Sequence, residues 1–269
     1  MSKINIFEDL DPQLLEKVTS RRDALRGLGK LGGGAVVASV PLAFAAMASK
    51  AFAQTAPLPQ AIVDILNFAL TLEYLEAEFY TLGTGSGSTI AFPNASVRQT
   101  FNIIRDHEQE HVDFLRAALG SSAVAKPNFD FTAGGMFPDV FSNYATFVTL
   151  ATAFEDTGVR AYKGQAPNLI SNDAILTAAL TIHSVEARHA SKVRRLAASY
   201  GKQGWIPGNQ PGAPAAVAPV YAGEDNVTQG GLNVTTLVPT SVSAEDVTEA
   251  FDEPLTMAAV LAIVDPFIT

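Results

Sequence analysis

The chain has no cysteine in its 269 residues. Disulfide bridges, thiolate-bound zinc, iron–sulfur clusters and a cysteine nucleophile are therefore excluded. Basic residues are also few, because 27 aspartates and glutamates outnumber 18 lysines and arginines and leave a formal net charge of -9. An acidic chain does not suit general binding to nucleic acid or to an anionic membrane, so we expect neither partner. Apolar residues make up 48% of the sequence, which is enough for a sizeable core.

The first fifty-odd residues have the features of an export signal. Arg21 and Arg22 precede a weakly apolar, glycine-containing stretch over roughly 31–49, and Ala51–Ala53 follows with the small-residue spacing of a cleavage site. This order resembles a twin-arginine signal. We therefore predict a cleaved signal over residues 1–53, an exported or periplasmic product and no stable membrane insertion after cleavage. The alternative is an uncleaved membrane anchor, since the stretch is almost long enough to span a bilayer.

Residues 54–200 are predicted to form four long helices. Breaks rich in glycine, serine or proline separate segments that contain few helix breakers. The predicted helices cover roughly residues 59–82, 95–119, 139–164 and 173–200. About twenty residues join the second helix to the third, and this long crossover favours an all-α, ferritin-like four-helix bundle over a simple up-and-down bundle. Residues 201–269 are predicted to be an irregular, proline- and glycine-rich C-terminal extension with one short last helix near 256–264.

Each predicted helix has an apolar stripe at alternating spacings of three and four, as expected of a buried face. A glutamate interrupts every stripe, at Glu73, Glu108, Glu155 and Glu186. Each glutamate lies roughly thirteen to fifteen residues inside its helix, or about 20 Å along the axis, so that parallel and antiparallel helices bring the four to one level. Each unpaired charge in a dry core costs several kcal/mol, so the four carboxylates require positive partners.

Two divalent cations would balance these four carboxylates. The neutral imidazoles of His111 and His189, each three residues after a stripe glutamate, would complete the ligand set. Oxygen-rich ligands with one nitrogen per ion favour iron or manganese, and zinc fits less well. The sequence therefore predicts two divalent metal ions in the middle of the bundle.

The ligand pattern occurs twice along the chain. Glu73 with Tyr80, followed by a Glu-x-x-His, recurs as Glu155 with Tyr162 and a second Glu-x-x-His. Over about residues 57–200 this set resembles the ferritin-like di-metal carboxylate superfamily. The resemblance implies that Glu73 and Glu155 are terminal ligands and that the tyrosines contact ligands. It implies that Glu108 and Glu186 bridge the two metals, with His111 on one metal and His189 on the other.

Three further side chains are predicted near the site. Glu76, also on the first stripe, is either an additional ligand or a solvated residue near the end of the bundle. His107 and His183 have no counterpart in the repeat, so we expect them to hydrogen-bond behind the ligands or in the core. Glu78 and Glu110 are expected on the surface.

Two alternatives explain parts of the pattern without a metal pair. Buried salt bridges could neutralise the stripe glutamates, with Arg105, Arg160 and Arg188 near in sequence. Residues 107–111 also spell H-E-x-x-H, the helix motif of zinc metalloproteases. That interpretation leaves the glutamates of the first, third and fourth helices without a reason.

The resemblance implies oxygen or peroxide chemistry, because related proteins oxidise ferrous iron or reduce or disproportionate peroxide. The expected partners are therefore a small oxidant or ferrous iron. The signal, the bundle and the tail motif at 251–255 together resemble a subgroup related to plant desiccation-related proteins. A non-enzymatic stress protein and a metal-sequestering protein are the alternatives. The long tail after the bundle does not favour a 24-subunit cage, although a smaller homo-oligomer stays open.

Overall fold

The computed structural model describes residues 58–201, 203–209 and 212–269, so the predicted signal over 1–53 lies outside the described residues. Four long helices dominate it, which confirms the all-α bundle. They are α1 (Gln60–Thr84), α2 (Ala95–Leu119), α3 (Tyr144–Gln165) and α4 (Asp173–Arg194). No helix in these described segments combines the length and the apolar character that crossing a bilayer requires.

Asparagine side chains cap three of the four helices. Asn94, Asn143 and Asn172 each accept a hydrogen bond from a backbone N–H in the first turn of α2, α3 and α4. The cap at Asn143 explains why α3 begins later than the sequence predicts. The helix α4 also ends earlier than predicted, because the backbone at the fully buried Ala197 is extended and the chain turns away there.

The crossover between α2 and α3, residues 120–143, runs along α1. Near its start, the Asn67 side chain donates to the Ser122 carbonyl and accepts from the Val124 N–H, each at 2.9 Å. Near its end, the N–H of Thr89, just beyond α1, donates to the Phe141 carbonyl at 3.2 Å. The helix α3 therefore starts beside the C-terminal end of α1 and runs antiparallel to it. This is the predicted ferritin-like connection.

Aromatic side chains fill the core at the end of the bundle where α1 ends and α3 begins. The rings of Phe79 and Phe147 stack with centroids 4.8 Å apart, and Phe101 packs edge-on against Phe147 at 5.0 Å. Phe131 of the crossover adds a ring 5.4 Å from Phe79. The crossover is thus part of the core, which fixes α1 and α3 relative to each other.

The C-terminal extension is folded against the bundle in short elements. A 3-10 helix, Ala215–Tyr221, is followed by the antiparallel pair β1 (Thr228–Gln229) and β2 (Leu232–Asn233). Two helices follow, α5 (Ala244–Thr248) and α6 (Met257–Val264). The helix α6 coincides with the short last helix that the sequence predicts.

Arg160 on α3 anchors this extension. Its buried guanidinium donates to the Glu253 carbonyl at 2.7 Å, to the Ala222 carbonyl at 2.6 Å and to the Val220 carbonyl. The carboxylate of Glu224 lies 2.9 Å from its Nε atom. A single buried cation therefore holds two separate segments of the extension, residues 220–224 and Glu253, onto one helix.

Gly164, near the end of α3, allows the extension to approach closely. A Cβ atom there would lie 1.9 Å from the backbone carbonyl oxygen of Leu255. Gly87, by contrast, lies in a turn with nothing within 4 Å of a Cβ atom.

We expect Gly164→Ala to destabilise the protein. Alanine favours a helix over glycine by about 1 kcal/mol, but overpacking against a backbone atom costs about 1–3 kcal/mol. Thermal unfolding of the full chain, with Gly87→Ala as the matched control, measures the difference. A Gly164→Ala variant that melts at or above the wild-type temperature would contradict this packing.

Candidate metal centre

The six predicted ligands meet in the middle of the bundle, one or two from each long helix. All four stripe glutamates are fully buried, at 0% exposure, and the two histidines are 2% and 5% exposed. The side chains that converge are Glu73, Glu108, His111, Glu155, Glu186 and His189. Carboxylates thus replace aliphatic side chains in the driest part of the fold.

Three carboxylate oxygens surround one nitrogen of His111. Its Nδ1 atom lies 3.1 Å from Glu73, 3.0 Å from Glu108 and 3.1 Å from Glu186. A ring nitrogen carries at most one hydrogen, so it cannot donate to three oxygens at once. This convergence of oxygens and a nitrogen is the arrangement that a metal ion requires.

His189 occupies the equivalent position on the other side of the cluster. Its Nδ1 atom lies 2.7 Å from a Glu108 oxygen and 3.4 Å from a Glu155 oxygen. Its Nε2 atom lies 2.9 Å from Nδ1 of His107. The Nδ1 atoms of both His111 and His189 therefore face the carboxylates, and His107 supports the second histidine from behind.

The cluster consists of two overlapping groups of four residues. One contains Glu73, Glu108, His111 and Glu186, and the other contains Glu108, Glu155, Glu186 and His189. Within each group, one potential ligand atom from every residue lies within 4.8 Å of the others. Glu108 and Glu186 belong to both groups, as bridging ligands would. The individual ligand roles stay predictions.

Each tyrosine of the repeat contacts the glutamate of the opposite helix. The Tyr80 hydroxyl on α1 donates to Oε1 of Glu155 on α3 at 2.5 Å, and the Tyr162 hydroxyl donates to Oε1 of Glu73. The other oxygen of each glutamate faces a histidine. One oxygen of each carboxylate is thus held in place while the other is directed into the cluster.

The pKa values of three of the four stripe glutamates and of His189 are shifted toward the protonated forms, which shows that the site is short of positive charge. Burial raises the pKa of Glu73 and Glu186, and it raises the pKa of Glu155 to about 7. Burial alone would lower the pKa of His189, but Glu155 and Glu108 outweigh it and raise the value to about 11. Protons therefore supply the positive charge when metal is absent, and divalent cations would displace them.

Several buried polar atoms of the cluster make no hydrogen bond of good geometry among the described residues, although some lie within 3.4 Å of a carboxylate oxygen or a ring nitrogen. They are Oε1 of Glu108, Oε2 of Glu155, both carboxylate oxygens of Glu186, and Nδ1 of His189. Buried polar atoms rarely stay unpaired, because desolvation is then uncompensated. These atoms all belong to the two four-residue groups, so the donors present fit a pair of divalent ions.

Arginine does not neutralise the cluster. Arg105 pairs with its neighbour Asp106 at 2.6 Å, and Arg160 binds the C-terminal extension. Arg188 is exposed. Among the described residues, none of these three pairs with a stripe glutamate, so the salt-bridge alternative fails. The metalloprotease alternative also lacks support, since His107 lies outside both groups.

The structure narrows the alternatives for two of the surrounding residues. Glu76 is 3% exposed, so it is not solvated near the end of the bundle. His183 is half-buried beside Val159, and the charges that influence its pKa are Lys163 and Asp252 rather than the cluster. It follows the stripe residue Ile182 directly, and this one-residue offset turns it away from the ligands.

A buried polar network beside Glu155 was not predicted. Asp156 accepts a hydrogen bond from the Tyr221 hydroxyl at 2.7 Å and pairs with Arg194. It links α3, α4 and the C-terminal extension directly next to the candidate centre. From the sequence, Asp156 is only a polar residue next to the apolar stripe of α3. Its partner Tyr221 lies 65 positions further along the chain, so local periodicity gives no indication of the contact.

Comparison with known proteins supports the fold. A family model described as ferritin-like domain matches residues 61–199, just over half of the chain. The chain therefore belongs to the ferritin-like domain family. No significant match was found among curated proteins or among solved structures.

We expect Glu108→Ala and Glu186→Ala each to remove most of the bound metal, because each residue belongs to both groups. Glu110→Ala is the matched control on α2, since Glu110 belongs to neither group. Elemental analysis of the purified variants measures metal per chain. Equal losses from all three substitutions would contradict the assignment.

Proposed function

We propose that this chain is an exported ferritin-like protein that holds two divalent ions, iron or manganese, and either oxidises ferrous iron or removes peroxide. The observation that supports this function best is the pair of buried four-residue groups that share Glu108 and Glu186. Shared carboxylates would hold two ions. Such a pair of ions supplies two-electron redox chemistry toward oxygen or peroxide.

Some residues of the site would bind the metal ions, and others would orient the ligands. Glu73, Glu108, His111 and Glu186 would hold one ion, and the second group would hold the other. Tyr80 and Tyr162 orient the two glutamates that each belong to a single group. The buried apolar side chains of the bundle exclude bulk water from the site and so strengthen the electrostatic interactions inside it.

The burial of the site restricts its substrates. All six ligand candidates are 5% exposed or less, so a peptide or another polymer cannot reach them. Ferrous iron, dioxygen and hydrogen peroxide are small enough to pass between packed side chains during ordinary fluctuations. The geometry therefore favours these three over any larger substrate.

The same burial favours a second candidate from another class. A metal pair that ties four helices together could act only as a structural or sequestering centre in a stress- or desiccation-related protein. Metal bound to the folded state alone raises stability by mass action without turnover.

Metal content and turnover separate the two candidates. We expect protein purified from its native compartment to contain about two iron or manganese ions per chain, in line with the two four-residue groups. We also expect it to consume peroxide or to accelerate ferrous oxidation. Removal of metal should lower the melting temperature and abolish turnover.

The Glu108→Ala variant is the matched control for both assays. A metal-loaded protein without either activity would support the structural candidate. A folded protein that contains no metal, and whose melting temperature metal does not change, would contradict both.

We also propose that a twin-arginine signal exports the folded protein, on the basis of Arg21 and Arg22 ahead of the glycine-containing apolar stretch. Replacing both with lysine keeps the charge but removes the motif, so we expect the exported fraction to fall and unprocessed precursor to accumulate. Cell fractionation with mass analysis measures both. Arg26→Lys is the control, and undiminished export of the double variant would refute the proposal.

A further inference from the structure

The internal repeat of the site is broken at one position. Glu73, Glu76 and Tyr80 follow one another on α1 with the same spacing as Glu155, Gly158 and Tyr162 on α3. Glutamate and tyrosine therefore match between the two helices, whereas the counterpart of Glu76 is a glycine. The two halves of the site differ by one carboxyl group.

Glu76 and Gly158 face each other across the bundle. A Cβ atom at Gly158 would lie 3.3 Å from Oε1 of Glu76 and 3.0 Å from Oε2 of Glu186. Both carboxylates therefore approach the backbone of α3 at one point, and a larger residue would push them back. This places Glu76 directly beside Glu186, which belongs to both candidate ligand groups.

The fold itself does not use the carboxyl group of Glu76. The residue is 3% exposed, and no hydrogen bond or ion pair of its side chain is found among the described residues. It belongs to neither four-residue group, so its oxygens are not positioned as ligand atoms in this arrangement. A buried carboxyl group without a partner is unfavourable, and an aliphatic residue would pack better.

Glu76 is also part of the wall of a small cavity. The cavity holds about 10 Å³, close to the space that one water-sized molecule needs. Its other walls are Leu72, Leu75, Phe154, Thr157, Gly158 and Val264. The Thr157 hydroxyl already donates to the Ala153 carbonyl at 2.7 Å. Glu76 is therefore the side chain in this wall that is free to bind a polar guest.

We propose that Glu76 and Gly158 form the binding position for the small oxygen molecule on which the site acts, hydrogen peroxide, whose O–H groups can donate to the Glu76 carboxylate. Glu76 hydrogen-bonds the molecule next to Glu186, and the apolar walls exclude bulk water. Because Gly158 has no side chain, there is space beside the backbone of α3 for the bound molecule. This proposal rests on the proposed function and names the position of its substrate.

Glu76→Leu tests this position, with Glu78→Gln as the control, since Glu78 lies on the same helix but outside the cavity and both ligand groups. We expect Glu76→Leu to keep the wild-type metal content and to raise KM for hydrogen peroxide about tenfold, the usual effect of one lost hydrogen bond. Glu76→Gln keeps a polar end of the same size and should restore KM to within about twofold. If Glu76→Leu does not fold, Glu76→Met replaces it, because methionine adapts to irregular spaces.

A crystal structure of the metal-loaded wild type gives a readout that does not depend on turnover. We expect an ordered oxygen species within about 3 Å of the Glu76 carboxyl group, which is hydrogen-bond distance, and its loss in Glu76→Leu. Unchanged KM in Glu76→Leu, loss of metal in that variant, or a metal ion bound to Glu76 would each overturn the proposal. A metal-loaded wild type without activity would overturn the proposed function alone, since the crystal structure still tests the cavity.

Discussion

The mutual repulsion of four buried carboxylates is the constraint on which the rest of this structure depends. Glu73, Glu108, Glu155 and Glu186 are fully buried at one level of a helical bundle, and the ion pairs of Arg105, Arg160 and Arg194 lie elsewhere. Hydrophobic packing of the four stripes cannot compensate for this repulsion by itself. Protons or metal ions must supply the balance, so the charge state of the centre and the stability of the bundle are linked.

The connectivity of the fold brings the two halves of the centre into register. Because the crossover runs along α1, the helix α3 is antiparallel to it, and a glutamate and a tyrosine seven residues apart on each helix can pair reciprocally. A short connection between α2 and α3 would reverse α3 and separate these pairs. The long crossover is therefore a requirement of the site, and its Phe131 is at the same time part of the core.

The sequence predicts the bundle and the convergence of the ligands because both depend on local periodicity. A glutamate on a three-four stripe must point inward wherever the helix packs, so the inward direction of all six ligand side chains follows from their spacing. His183 shows the limit of this reasoning, since one residue of offset on a helix turns a side chain by about 100°. The start of α3 shows the same limit. The apolar pattern extends to residues before Asn143, but the helix begins after it because the Asn143 side chain caps the first turn.

The contacts of the C-terminal extension could not be predicted, because they join residues far apart in the chain. Arg160 appears in the sequence as an off-stripe charge, and only the fold shows that it binds carbonyl groups at least sixty positions away. Val264 reaches the cavity beside Glu76 from the end of α6. The extension therefore closes the bundle on the side of α3 where the internal repeat is broken. The broken repeat and the packed extension therefore meet at one cavity, where Val264 of α6 lies opposite the position that Gly158 leaves open.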